Sequence, residues 1–165
     1  MDALRAERAG RMPEASPFPA PIDGNVLPHI GPFGADGFTE EETKVRAESR
    51  KILGLPELVI AATCVRVPVE IGHSISATVE TERPLHARAA EEALRAMPGV
   101  RVLEGADLPL PRDAAGHDEV LVGRVRQDPD SDRVLHIWVV ADNLRKGAAT
   151  NAVQIAEHIL AVAPR

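Results

Sequence analysis

The run from residue 13 to residue 37 constrains this chain more than any other part of it. Pro13, Pro17, Pro19, Pro21 and Pro28 are interspersed with Gly24, Gly31, Gly34 and Gly37. Proline lacks the amide donor that a helix interior or a central strand needs, and glycine loses the most backbone freedom on ordering. Neither element can form across this run. A connection of that length is long for a compact domain and must lie across another surface or be partly disordered. Regular structure has to be sought on either side of it.

Upstream, Leu4, Ala6 and Ala9 interleave with arginines and acids and predict a short helix over residues 1–12. Downstream, Thr39 followed three residues later by Glu42 is a capping box, and Glu40 and Glu41 suit the positive end of the helix dipole. That helix should run to about Leu53, where Gly54 and Pro56 stop it. Residues 59–67 are apolar and β-branched and predict a buried strand; residues 74–81 alternate like a half-buried one. A second helix over 84–96 should end at Pro98-Gly99, with a short strand at 100–103 and a Pro-rich connection over 104–118. Residues 120–126 and 134–140 predict two strands joined by the polar turn DPDSD, and 146–161 a small-residue, apolar final helix. Runs of strands broken by few helices give an α+β fold, a mostly antiparallel or mixed sheet with helices packed on one face.

Composition narrows the function. A net charge of -6 and 2% aromatic residues, with no tyrosine, disfavour both phosphate-backbone binding and base stacking. The single cysteine rules out an internal disulfide framework and suggests a reducing compartment. No stretch approaches the roughly 18–20 apolar residues of a membrane span. The N-terminus carries charges where an export signal needs an apolar centre, so the expected location is cytoplasmic.

The chemistry concentrates in residues 63–80, TCVRVPVEIGHSISATVE. Cys64 sits in an apolar run, which favours a small buried hydrophobe over an activated thiol. Arg66 is an unusual residue for a β-branched run, because a charge is seldom buried unpartnered; it either pairs with an acid of the chain or grips a carboxylate or phosphate. His73, between Gly72 and Ser74, is either structural or a general acid/base, for which imidazole is suited. Side chains alternate along a strand, so Arg66 and His73 would point to opposite faces of one continuous strand. They can share a site only if Pro68 or Gly72 breaks the register. Glu41 and Lys44, three apart on a helix, adjoin as a surface pair or as part of a site. The histidines show no metal-ligand spacing with one another or with Cys64, and no Gly-rich nucleotide fingerprint follows a strand.

Five segments, NVLPHIGPF (25–33), FTEEETKVRAESRKIL (38–53), TCVRVPVEIGHS (63–74), DAAGHDEVLVGRVRQD (113–128) and WVVADNLRKGAATNAVQIAE (138–157), resemble the C-terminal half of the aspartate-semialdehyde dehydrogenases in the right order. The resemblance implies the C-terminal domain of the glyceraldehyde-phosphate dehydrogenase-like superfamily. It also implies NADPH-dependent reduction of aspartyl-β-phosphate through a thioester on a cysteine, a step toward lysine, threonine and methionine. By position His73 matches the family's acid/base histidine, Arg66 the arginine that clamps the substrate α-carboxylate, Glu41 the glutamate near the substrate amine and Lys44 the lysine near the phosphate. Asn143 lies where the family touches the nicotinamide end of NADP, and no metal is implied.

The family's Gln-Asn-Cys nucleophile motif and its Rossmann-type domain are missing, and Cys64 matches a structural cysteine. The expectation is half an enzyme that is inactive and binds no NADP alone: residues 1–24 a helix and Pro-rich lead-in, 25–140 a substrate-binding and dimerisation domain, and 141–165 a helix that in the family packs on the nucleotide domain. A homodimer or a partner N-terminal half is the expected assembly, and the alternative is a non-catalytic dimerisation or interaction module. Neither membrane nor nucleic acid is expected as a partner.

Overall fold

Thr39 starts the first long helix as its sequence requires. In the computed structural model, which describes residues 2–11 and 16–162, Thr39 Oγ1 accepts from the Glu42 amide and the Glu42 carboxylate accepts from the Thr39 amide at 2.8 Å. Helix α2 then spans Glu40–Leu53 and ends at Gly54, whose φ of 66° is left-handed and open to glycine without strain. The chain divides into two units, residues 1–70 and 71–165.

In the first unit a short helix α1, Asp2–Arg8, precedes α2. The Pro/Gly run lies against α1: Ile22 and Leu27 are buried with Leu4, and Phe18 packs on them. Glu7 of α1 accepts from the amides of Ile22 and Asp23, both at 2.8 Å. The long connection is therefore ordered by a small core and by hydrogen bonds to its backbone. Its expected opening at Pro13 lies outside the described residues.

The predicted buried strand over 59–67 does not form. Among the described residues its one ladder contact is the bridge between Leu27 and Arg66, and Val59 is 90% exposed. β-branched composition supplies propensity, but a strand also needs a neighbour to pair with. Here the neighbour is a Pro-rich segment with few amides to offer.

The second unit holds a four-stranded sheet of order β1-β4-β3-β2, made of His73–Glu80, Val100–Val102, Val120–Asp128 and Ser131–Ala141, numbered along the chain. β1 and β3 pair antiparallel with β4, and β2 pairs parallel with β3, so the sheet is mixed within an α+β fold. Between β1 and β2 lies α3, Ala87–Arg95; between β2 and β3 lies the single-turn α4, Pro111–Ala114. The expected uninterrupted loop over 104–118 thus contains one turn of helix, started by Pro111 at a position where a missing amide costs nothing. Ala114 of α4 is buried against Leu121 and Val140, with Trp138 beside them donating its indole N–H to the Pro109 carbonyl at 3.1 Å. Further along the sheet, His136 of β4 sits 2.8 Å from Asp128 of β3 and 3.0 Å from Thr78 of β1, tying three strands together. The last helix, α5, spans Thr150–Val162 after a wide, kinked turn at Arg145–Ala149. No helix among the described residues is long and apolar enough to cross a membrane.

Candidate functional site

In the first unit the candidate residues come from α2 and the segment after it. Glu41 and Lys44 form an ion pair at 3.3 Å, and the carboxylate raises the ammonium above its ordinary pKa by accepting its hydrogen bond. Both ends are substantially solvated, so this contact alone contributes little to stability. Glu42 is buried. One of its oxygens takes the Thr39 amide, while the other accepts from the Cys64 amide at 3.0 Å. The backbone bonds from Thr39 and then Cys64 hold its carboxyl below the ordinary range, against the opposing effect of burial.

Through Cys64, the capping glutamate fixes the segment that carries Arg66. Arg66 exchanges both backbone hydrogen bonds with Leu27, at 2.8 and 2.9 Å. Its guanidinium lies 5.4 Å from the centre of the Phe18 ring, a cation–π distance. Among the described residues no carboxylate pairs with it. Of the two openings left by the sequence, an internal salt bridge is thus not what this arginine makes there. Cys64 is half-buried, and burial, then the charges of Glu42 and Glu41, push its thiol up rather than down. Those surroundings disfavour the thiolate that a nucleophile needs.

Pro68 and Gly72 both interrupt the run. The Val69 amide donates to the Val67 carbonyl at 2.7 Å, a tight turn around Pro68, and Gly72 takes a φ of 108°. His73 then opens β1, an edge strand, opposite Ala141 of β4. Its imidazole is exposed and makes no hydrogen bond among the described residues. In the same unit Asn143 is half-buried, and its Oδ1 accepts from the Gly72 amide at 2.9 Å.

Beside it is a residue that sequence reasoning missed. Asp142 is 3% exposed; its Oδ2 accepts from the Gly116 amide at 2.8 Å, and its Oδ1 from those of Leu144 and Arg145 at 2.8 and 3.2 Å. The only hint in the sequence is an acid directly after an apolar strand. The Gly116 bond chiefly holds its carboxyl below the ordinary range while burial opposes it.

A group depressed on folding stabilises fully above its unfolded pKa and loses that contribution as pH falls through the folded value. Urea midpoints measured between pH 3 and 7 should therefore fall below roughly pH 4 in the parent chain. Asp142→Asn should start lower at neutral pH, because its amide group meets an N–H donor, and should show a flatter acid limb. Parallel acid limbs would remove Asp142 as a source of the pH dependence.

The candidates thus fall into two sets, Glu41, Lys44 and Arg66 in the first unit and His73 and Asn143 in the second. Among the described residues no three His, Cys, Asp or Glu side chains converge as a metal site.

Comparison with known proteins agrees with these motifs. The family model described as "Semialdehyde dehydrogenase, dimerisation domain" matches residues 3–146. The aspartate-semialdehyde dehydrogenase of Aquifex aeolicus is 50% identical over 149 residues, 88% of this chain and 44% of that protein. The Mycolicibacterium smegmatis enzyme is 48% identical over 153 residues, covering 90% of this chain and 43% of the relative. Among solved structures, aspartate semialdehyde dehydrogenase II of Vibrio cholerae, complexed with ASA, superposes with a TM-score of 0.89 at 42% identity, over 98% of this chain and 48% of that one. The Candida albicans enzyme, solved with NADP, superposes at 0.65 with 27% identity, over 86% and 46% of the two chains. The chain spans less than half the length of these relatives. It belongs to the semialdehyde dehydrogenase dimerisation-domain family and corresponds to the C-terminal half of the aspartate-semialdehyde dehydrogenases.

Proposed function

We propose that this chain supplies the substrate-clamping and dimerisation half of an NADP-dependent aspartate-semialdehyde dehydrogenase of lysine, threonine and methionine biosynthesis. The observation that carries the reading is Arg66, whose backbone is paired with Leu27 and whose guanidinium lies over the Phe18 ring with no carboxylate partner among the described residues. A planar cation kept so is suited to bidentate capture of a substrate α-carboxylate. Glu41 meets the substrate amine and Lys44 the phosphate. The two neutralise each other until substrate separates them.

His73 moves the proton. It takes one from the attacking thiol of the nucleophile, so that the S–C bond forms as the phosphate leaves. NADPH, held by the rest of the enzyme, would supply the hydride for the reduction that follows. Among the described residues no Gly-rich loop joins a strand to a helix, and Asn143 is the one position proposed toward the cofactor. Cys64, the one cysteine, is in the wrong environment to be the nucleophile, so the chain alone should be inactive and bind no NADP.

The domain roles follow. Residues 1–24 lead in, 25–140 bind substrate and dimerise, and 141–165 pack on a nucleotide-binding domain, with cytoplasmic location. Val153 and Leu160 on one side of α5, and Ile155 and Ile159 on the other, are more than half exposed, an apolar surface in need of cover. The alternative is a non-catalytic dimerisation module, favoured by the exposed Ile75 and Val79 on edge strand β1.

The test is phosphate-dependent NADP reduction with aspartate semialdehyde. No turnover by the purified chain and turnover after adding a separately expressed N-terminal half are the expected results. Turnover by the chain alone would refute the proposal. A stable complex with the N-terminal half that never turns over would favour the module.

A further inference from the structure

The resemblance gives Asn143 a cofactor role, but the structure engages its carboxamide with the protein. We propose that Asn143 is a positioning residue for His73, acting through the amide of Gly72. The reading of His73 as acid/base rests on the function proposed above; the mechanical link does not.

The His73 imidazole makes no hydrogen bond among the described residues, so it goes where the backbone at 72–73 puts it. That backbone is unusual. Gly72 has a φ of 108°, which side-chain-bearing residues avoid, and a Cβ there would lie 3.3 Å from Pro111 Cβ and 3.4 Å from the Ala141 carbonyl oxygen. The bend is therefore packed from outside by α4 and by the end of β4. Beside the β1–β4 ladder that begins at His73, the N–H of Gly72 tethers the bend by donating to Asn143 Oδ1 at 2.9 Å.

Asn143 is itself fixed. The residue before it, Asp142, is buried and takes the amides of Gly116, Leu144 and Arg145, while its carbonyl accepts from Lys146 at 2.9 Å. The carboxamide is thus presented by a rigid corner between β4 and the turn that leads to α5. With its oxygen engaged by Gly72, Asn143 turns its Nδ2 hydrogens to any ligand acceptor that reaches it.

The experiment uses the purified chain and no substrate, so it is decided independently of the dehydrogenase reading. Hydrogen exchange of the Gly72 amide and the NMR signal of the His73 ring are compared in the parent, Asn143→Ala and Asn143→Asp chains. Removing the acceptor should speed Gly72 exchange about tenfold, the effect of losing one ordinary hydrogen bond. It should also move the His73 ring signal toward that of a peptide histidine. The amides of Leu121 and Val140, and the His86 and His117 rings, should stay as they are.

Asn143→Asp keeps an oxygen acceptor and should retain Gly72 protection within about twofold. The proposal is overturned if Asn143→Ala leaves Gly72 and His73 unchanged, or if Asn143→Asp loses Gly72 protection as fully as alanine does. Should the alanine chain unfold outright, as loss of protection at Leu121 and Val140 would reveal, the aspartate chain alone decides: retained protection supports the tether and lost protection refutes it.

Discussion

In a complex of this chain with an N-terminal half, His73→Asn is expected to lower kcat by roughly 10²–10⁴-fold, the usual contribution of a positioned proton-transfer group. KM should change little, because the imidazole assists a proton in flight more than it binds substrate. Arg66→Lys should show the reverse split. Lysine keeps the charge but loses the planar fork, so carboxylate binding should weaken roughly 10- to 100-fold, expressed in KM. Steady-state kinetics of the two variants therefore separate the assignments. Unchanged kcat in His73→Asn would remove the histidine from the reaction, and a kcat loss equal to that of His73→Asn in Arg66→Lys would mean that the arginine does more than clamp.

What was legible in the sequence was what is local. Thr39 and Glu42 lie three residues apart, and their reciprocal bonds form whatever the rest of the chain does; the cap was predicted and is present. The β3–β4 hairpin is equally plain, since two runs rich in valine are joined by a polar turn. The run at 59–67 has the propensity of a strand and does not form one, because propensity is local and pairing is not.

The second duties of Glu42 and Asp142 depend on amides brought in from elsewhere, Cys64 in one case and Gly116 in the other. No spacing rule announces such bonds. Cys64, expected as a small buried hydrophobe, is half-buried, and burial and two neighbouring carboxylates push its thiol up. Arg66, His73 and the Glu41–Lys44 pair stand out by residue type and spacing, whereas their roles, and Asn143 altogether, come from the resemblance.

Leu121→Ala should be the most damaging single change to the second unit, at about 2–5 kcal/mol, the range for emptying a leucine from a close-packed interior. Leu121 has no exposed surface and fills the space between Ala114 of α4 and Val140 of β4, two residues equally inaccessible. α4 is one turn long and cannot move inward without dragging Gly116 off Asp142 and Pro111 off Gly72, so the cavity cannot collapse cheaply. Against a total stability on the order of 5–15 kcal/mol, such a loss should shift the urea midpoint by roughly 1–3 M.

Leu160→Ala provides the counterweight. Leu160 is 77% exposed on α5, and its removal should leave the midpoint of the chain alone within about 0.5 kcal/mol. If α5 is the surface that receives a nucleotide-binding domain, the same substitution should weaken association with an N-terminal half while Leu121→Ala acts through folding. A Leu160→Ala chain that is destabilised by itself, yet associates as well as the parent, would place that leucine in this chain's own core and leave the docking role of α5 without support.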